Sequence, residues 1–242
     1  MFSKKAIRVS KDKALSFDTA NYITVIVGKE PRDQQRFILN ESIICARSEF
    51  FRRAMNGNWI EKDERIIKMP EDDAITFSNY VNLIYMGRLP TMPLEERHTS
   101  LTIAAEFKAL AELYVLAERL CDHVTKNTVV DLFMAVLEQK TLDQQTYAPP
   151  IKAITTLYAG TSRGSLGRRL LADMWTAIPP EFRLEHQGEL PQDFIVDVLI
   201  ALRKDRSDTK QSVACFNMKN KKEEYFEKVE ELTSNDKGDW HT

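Results

Sequence analysis

The sequence predicts an α+β fold, with its strands gathered near the N-terminus and helices filling the rest. Three observations carry that prediction. The stretch "YITVIVG" (Tyr22–Gly28) is β-branched and alternates in face, and a second β-rich run, "RIIKM" (Arg65–Met69), follows. Beyond residue 74 the apolar residues recur at helical spacing. Hydrophobic residues make up 43% of 242, enough for a core that needs no disulfide or metal staple.

Residues 1–20 show no clear period and are read as a poorly ordered N-terminal segment. In the first strand, Ile23, Val25 and Val27 share one face, and Thr24 and Ile26 the other. "KEPRDQQ" (Lys29–Gln35) reads as a hairpin loop and "RFIL" (Arg36–Leu39) as the return strand. Asn40 caps a helix running to Arg47, with Ile43, Ile44 and Ala46 as its apolar side. Ser48 caps a second helix, which pairs Phe51 with Met55 and Phe50 with Ala54 and ends at "NGN" (Asn56–Asn58). A polar loop carrying Trp59 leads to the third strand. Pro70 closes that strand, and Asp72 or Asp73 caps the next helix, in which Phe77, Val81, Ile84 and Tyr85 recur and which Gly87 stops.

After a loop with Pro90 and Pro93, Leu110, Leu113, Tyr114 and Ala117 form one helical stripe. Val129, Phe133, Val136 and Leu137 form another. Further helices are expected near 150–159, 165–177 and 191–204, and a short charged one around Tyr225, Val229 and Leu232. Phe50, Phe51, Met55, Phe77 and Tyr85 are expected in the core.

Charge and composition narrow the function classes. With 34 basic and 36 acidic residues interspersed, the chain offers no electrostatic footprint for nucleic acid. The apolar runs fall short of the ~20 residues a membrane helix needs. The polar start "MFSKKAIRVSKDK" lacks the apolar core of a secretory signal, so a cytoplasmic or nuclear location is expected. Cys45, Cys121 and Cys215 are sparse and odd in number, which suits reduced thiols; Cys45 and Cys121 are read as small core residues. His98, His123, His186 and His241 lack ligand spacing, so neither metal nor other cofactor is expected. Gly160, Gly164 and Gly167 in "GTSRGSLGRR" lack the Lys-Ser/Thr of a phosphate loop and read as an interhelical connection. "KNKKEEYFEK" reads as a solvated helix face. No acid/base or nucleophile constellation appears, so a non-enzymatic role is expected.

The order strand, strand, helix, helix, strand, helix, with "FILNESIICARSEFF" and later "FSNYVNLIYMGRL", resembles a BTB/POZ domain, most closely that of the BTB proteins abundant in filamentous fungi. "KALAELYVLAERL" is similar to the family's next helix, and "LGRRLLADMW" and "ELPQDFIVDVLIAL" to the C-terminal helical part of the fungal proteins. The resemblance implies a small mixed sheet with a helical cluster over residues 21–138. An all-helical extension over 139–204 and a polar tail over 205–242 would follow.

The family implies a protein–protein interaction module acting as adaptor or scaffold. Trp59, Ile60 and Glu61 resemble the hydrophobic-x-Glu triplet of BTB proteins that recruit a cullin ubiquitin-ligase scaffold. An exposed tryptophan beside an acid would supply contact area and orientation. The alternatives are a homodimerising scaffold with no ubiquitin-ligase role and a transcription-associated regulator without its own DNA-binding domain. Tyr22, Asn40 and Glu41 stand where many members carry the Asp and the His-basic pair of a charged pocket tied to co-repressor binding, so that route is not expected.

Overall fold

The computed structural model describes residues 18–29, 34–57, 60–92, 98–141, 144–176, 189–207 and 222–229, with backbone alone at 60, 61 and 204–207. The chain divides into two compact units, Met1–Arg88 and Leu89–Thr242. The expectation for residues 1–20 falls almost wholly outside the described residues; Thr19–Asn21 form a single 3-10 turn capped by Asp18.

The first unit is built on a three-stranded mixed sheet in the order β2-β1-β3. β1 (Tyr22–Val27) runs antiparallel to β2 (Gln35–Asn40) and parallel to β3 (Ile66–Met69). The β1 alternation holds: Ile23, Val25 and Val27 are at most 1% exposed. Ile26, on the opposite face, is buried as well, as suits a central strand covered on both sides.

Side-chain caps set the helix starts in this unit. Asn40 Oδ1 accepts the Ile43 N–H to open α1 (Glu41–Arg47). Ser48 Oγ accepts the Phe51 N–H to open α2 (Glu49–Asn56), and Asp73 rather than Asp72 accepts the Thr76 N–H to open α4 (Ala74–Met86). Gly87, left-handed at φ 64°, stops α4. Gly57 ends α2 differently, in an extended conformation at φ −77°.

Four expectations need correction here. Residues 60–64 form a short helix, α3 (Ile60–Glu64), not a loop. In α1 Ile44 alone is fully buried; Ile43 is half-buried and Ala46 exposed, because two turns offer one deep position. The buried face of α4 is Thr76, Phe77, Tyr80 and Leu83, so the stripe is rotated away from Val81, Ile84 and Tyr85. Phe50 and Tyr85 are therefore not core residues, being 38% and 40% exposed, whereas Phe51, Met55 and Phe77 are buried.

The second unit is helical. α5 (Ser100–Arg119) and α6 (His123–Glu138) carry the expected stripes, with Leu110, Leu113, Tyr114, Ala117, Val129, Phe133 and Val136 buried and Leu137 half-buried. The Phe107 and Phe133 rings stack at 6.0 Å between the two helices. α7 (Ile151–Gly160), α8 (Leu166–Thr176) and α9 (Gln192–Ser207) follow. Phe194 of α9 fills the gap between Tyr158 and Trp175 with two edge-on contacts of 5.3 and 5.2 Å.

"GTSRGSLGRR" contains the α7–α8 connection, residues 161–165, with Gly160 ending α7 and Gly167 in the first turn of α8. Buried Arg168 donates to the carbonyls of Tyr158 and Thr161 and to Thr161 Oγ1, satisfying the end of α7. Gly167 is glycine for space: its N–H donates to the Tyr114 hydroxyl at 3.0 Å, and a Cβ there would lie 2.7 Å from the Tyr114 ring.

Within "KNKKEEYFEK", residues 222–228 are described, and they are not a solvated helix. Lys222–Tyr225 form a 3-10 turn, Tyr225 is 3% exposed, and residues 222–229 lie as a strap against α6 and α8. Val229 is half exposed, and Leu232 lies outside the described residues.

Candidate partner-binding surface

The surface that the sequence singles out follows α2. Glu49 sits in the first turn of α2 and pairs with Arg52 and with Arg53, one and the same carboxylate thereby orienting two cations on the outer side of the helix. Phe51 and Met55 face inward, and Phe50 lies edge-on to Phe51 at 5.2 Å while keeping part of its ring in solvent. Of the triplet, Trp59 lies outside the described residues, and Ile60 and Glu61 are the first two residues of α3. Sequence reading placed these residues in a loop because five helical residues between Gly57 and β3 are too few for a periodic signal.

Immediately after α3, Arg65 takes up a left-handed conformation at φ 54°. It occupies the point at which the chain must reverse from α3 into β3, and its side chain stabilises that turn. The guanidinium donates from Nε to the Tyr22 carbonyl at 2.9 Å and from Nη2 to Glu41 Oε2 at 2.6 Å. One side chain thus joins β1, the first turn of α1 and the start of β3.

Tyr22, Asn40 and Glu41, distinct in the sequence for what they lack, meet here. Tyr22 and Asn40 are cross-strand partners at the end of the β1–β2 ladder. Asn40 is 1% exposed; it caps α1 with its side chain and donates its N–H to the Tyr85 hydroxyl at 2.7 Å. Partial burial first of all, and the neighbouring Tyr22 phenol, push the Tyr85 phenol up, while the Asn40 N–H opposes them. Its hydroxyl stays protonated and available at neutral pH. Glu41 takes Arg65 as its cation. The chain fills this corner with a neutralised acid and two tyrosines, and the charge there is already paired. Arg65 and Tyr85 were missed by sequence reading; a tyrosine at the end of an apolar stripe was the available signal, since its hydroxyl needs a partner when partly buried.

Cys45, on α1 beside this corner, is half-buried. Burial, and secondarily the Glu41 charge, push its thiol up to about 12, which makes it inert. Cys121 is not a core residue: it is exposed, at φ 52° in the turn between α5 and α6. Among the described residues no three His, Cys, Asp or Glu side chains converge as a metal site would require. Nor is any described helix long and apolar enough to cross a membrane.

The first unit also presents apolar side chains to solvent. Ile38, on the edge strand β2, is 72% exposed; Ile75 and Met86, at the two ends of α4, are 74% and 68% exposed.

Residues 19–124, less than half of the chain, match the model of the BTB/POZ domain family. This stretch is a BTB/POZ domain, a protein–protein interaction module, and the mixed sheet with its helical cluster agrees with that assignment. No curated protein matches the chain.

Proposed function

We propose that the chain is an adaptor or scaffold that works through its BTB/POZ domain, with a cullin ubiquitin-ligase scaffold as the partner and Trp59, Ile60 and Glu61 at the edge of the docking surface. The supporting observation is that Ile60 and Glu61, two residues of the triplet, are the first residues of a separate short helix between α2 and β3. The paired charges of the Arg65 corner support a binding role over a catalytic one. Residues 21–138 would form the interaction domain and 139–204 a helical extension of the type carried by filamentous-fungal BTB proteins, in the cytoplasm or the nucleus.

Titration of a cullin N-terminal region into the full chain tests this reading. Binding at or below tens of micromolar is expected. Trp59→Ala should weaken it about thirtyfold, the equivalent of ~2 kcal/mol, with little change in thermal stability. Absence of wild-type binding at that concentration overturns the cullin assignment.

A second reading is a homodimerising scaffold without a ubiquitin-ligase role. It is favoured by β2, an edge strand among the described residues, with Ile38 72% exposed, since a strand edge is a template for a second copy. Sedimentation at ~100 μM, enough to populate a micromolar dimer, decides it: monomer alone rejects self-association.

A further inference from the structure

The strap at residues 222–229 is bound to its own chain in the manner of a peptide ligand. It belongs to neither a helix bundle nor a sheet, yet α6 and α8 grip it by side chain and by backbone. Asn127 of α6 clasps the main chain of Glu227 from both sides: its amide nitrogen donates to the Glu227 carbonyl at 2.9 Å, and its oxygen accepts the Glu227 N–H at 2.6 Å. Lys126, 5% exposed in its side chain, holds the Glu227 carboxylate at 2.5 Å and Glu118 at the same distance. From α8, Arg169 pairs with Glu224 at 2.7 Å and stands over the Tyr225 ring at 5.3 Å, while Asp173 accepts the Tyr225 hydroxyl at 2.7 Å. An amide that reads a backbone, a lysine and an arginine that read two acids, and a carboxylate that reads a phenol together make a recognition site for a short peptide.

We propose that the groove between α6 and α8 is a docking site for an acidic, aromatic peptide with glutamate one residue before and two residues after a tyrosine, and that Glu224–Tyr225–Phe226–Glu227 occupies it in cis. The site uses none of Trp59, Ile60 and Glu61, the docking residues proposed above.

The energetics make the strap a displaceable occupant. Its one deeply buried side chain is Tyr225. The outer ion pairs, Lys222 with Asp131 and Arg169 with Glu224, keep side chains 41–46% exposed, and such pairs add little. Segments held by few buried apolar contacts open at low free energy. When the strap leaves, Lys126 keeps Glu118, and Asp173 keeps Arg169 at 3.7 Å, so the groove stays charge-compensated and ready for a partner. Intramolecular attachment gives the cis segment a concentration advantage that a partner must overcome, which makes the strap autoinhibitory.

The experiment uses the full chain and a fluorescein-labelled peptide, KEEYFEKV, copied from residues 222–229. Tyr225→Ala vacates the groove from the cis side. It should bind the peptide at least tenfold more tightly than wild type does, by anisotropy, and adding Asn127→Ala should reverse that gain. If Tyr225→Ala melts at a markedly lower temperature, the double variant Tyr225→Phe, Glu227→Gln serves instead, since it removes the strap's bond to Asp173 and its ion pair with Lys126 and keeps an aromatic ring at position 225. A folded variant that fails to bind at ~1 mM, or binding equal to wild type, overturns the proposal. Neither cullin nor any partner of the BTB domain is present, so this outcome is independent of the adaptor reading.

Discussion

The Tyr85 hydroxyl accepts the Asn40 N–H at 2.7 Å, tying the last turn of α4 to the last residue of β2. Asn40 is almost wholly buried, so its N–H has few other acceptors. Tyr85→Phe should therefore cost about 1–2 kcal/mol, the range for losing the partner of a buried donor. Urea unfolding measures this; a loss below ~0.3 kcal/mol would mean that water replaces the hydroxyl.

Arg65 combines an unfavourable backbone with two side-chain bonds, and two substitutions separate them. Arg65→Ala loses both bonds and keeps the left-handed backbone, at a cost of about 1–2 kcal/mol. Arg65→Gly loses the same bonds but is at ease at φ 54°, so it should be the more stable of the two by ~1 kcal/mol. Equal stabilities would show that the turn carries no strain.

Ser48 is completely buried while it caps α2. An exposed N-cap tolerates glycine at a few tenths of a kcal/mol, because water then solvates the freed N–H. Water has no access here. Ser48→Ala and Ser48→Gly should both cost about 1–2 kcal/mol in urea melts. A glycine variant within a few tenths of wild type would show that the cap opens to solvent.

Two glycines, Gly164 in the α7–α8 connection and Gly167 in the first turn of α8, should respond to alanine for opposite reasons. Gly167→Ala drives a methyl into the Tyr114 ring and should cost ~3 kcal/mol through overpacking. Gly164 faces open space but sits at φ +88°, so Gly164→Ala should cost ~1 kcal/mol from the backbone alone. Thermal melts of the pair rank them, and the reverse order would contradict the packing described.

The cysteines should separate by reactivity. At pH 8 iodoacetamide should label exposed Cys121 at least tenfold faster than Cys45, whose thiol is held up to about 12. Because the folded state raises this thiol, its contribution to stability is complete below the ordinary thiol range near 8.5. It is then lost as the pH climbs toward 12, where the unfolded chain has already released its proton. Peptide mass spectrometry after timed labelling measures the rates.

Legibility followed the range of the interaction. Caps were read correctly at Asn40 and Ser48 because a cap spans three residues. The α5 and α6 stripes were legible because both helices are long and one face of each is uniformly buried. α3 was missed because one turn carries no period. The stripe of α4 was misjudged because its mean hydropathy is high on several faces, and the neighbours it packs against chose Tyr80 and Leu83 over Ile84 and Tyr85. The partner triplet was legible as a pattern alone, and Trp59 lies outside the described residues.

By itself, the sequence determined where the longer segments become strand or helix, where the capped helices start, and that the N-terminal part is a BTB/POZ-type α+β domain. The element assignments depend on period, capping or turn chemistry within a few neighbouring residues, and the domain assignment on the match to the family model. Tertiary structure alone decided that Arg65 reaches Glu41 and Tyr22, and that Lys126 reaches Glu227, a hundred and one positions away. A lone lysine and a lone glutamate look alike wherever they stand in a sequence; only the packing of α6 on α5 and of the strap on α6 brings these two together and buries the lysine.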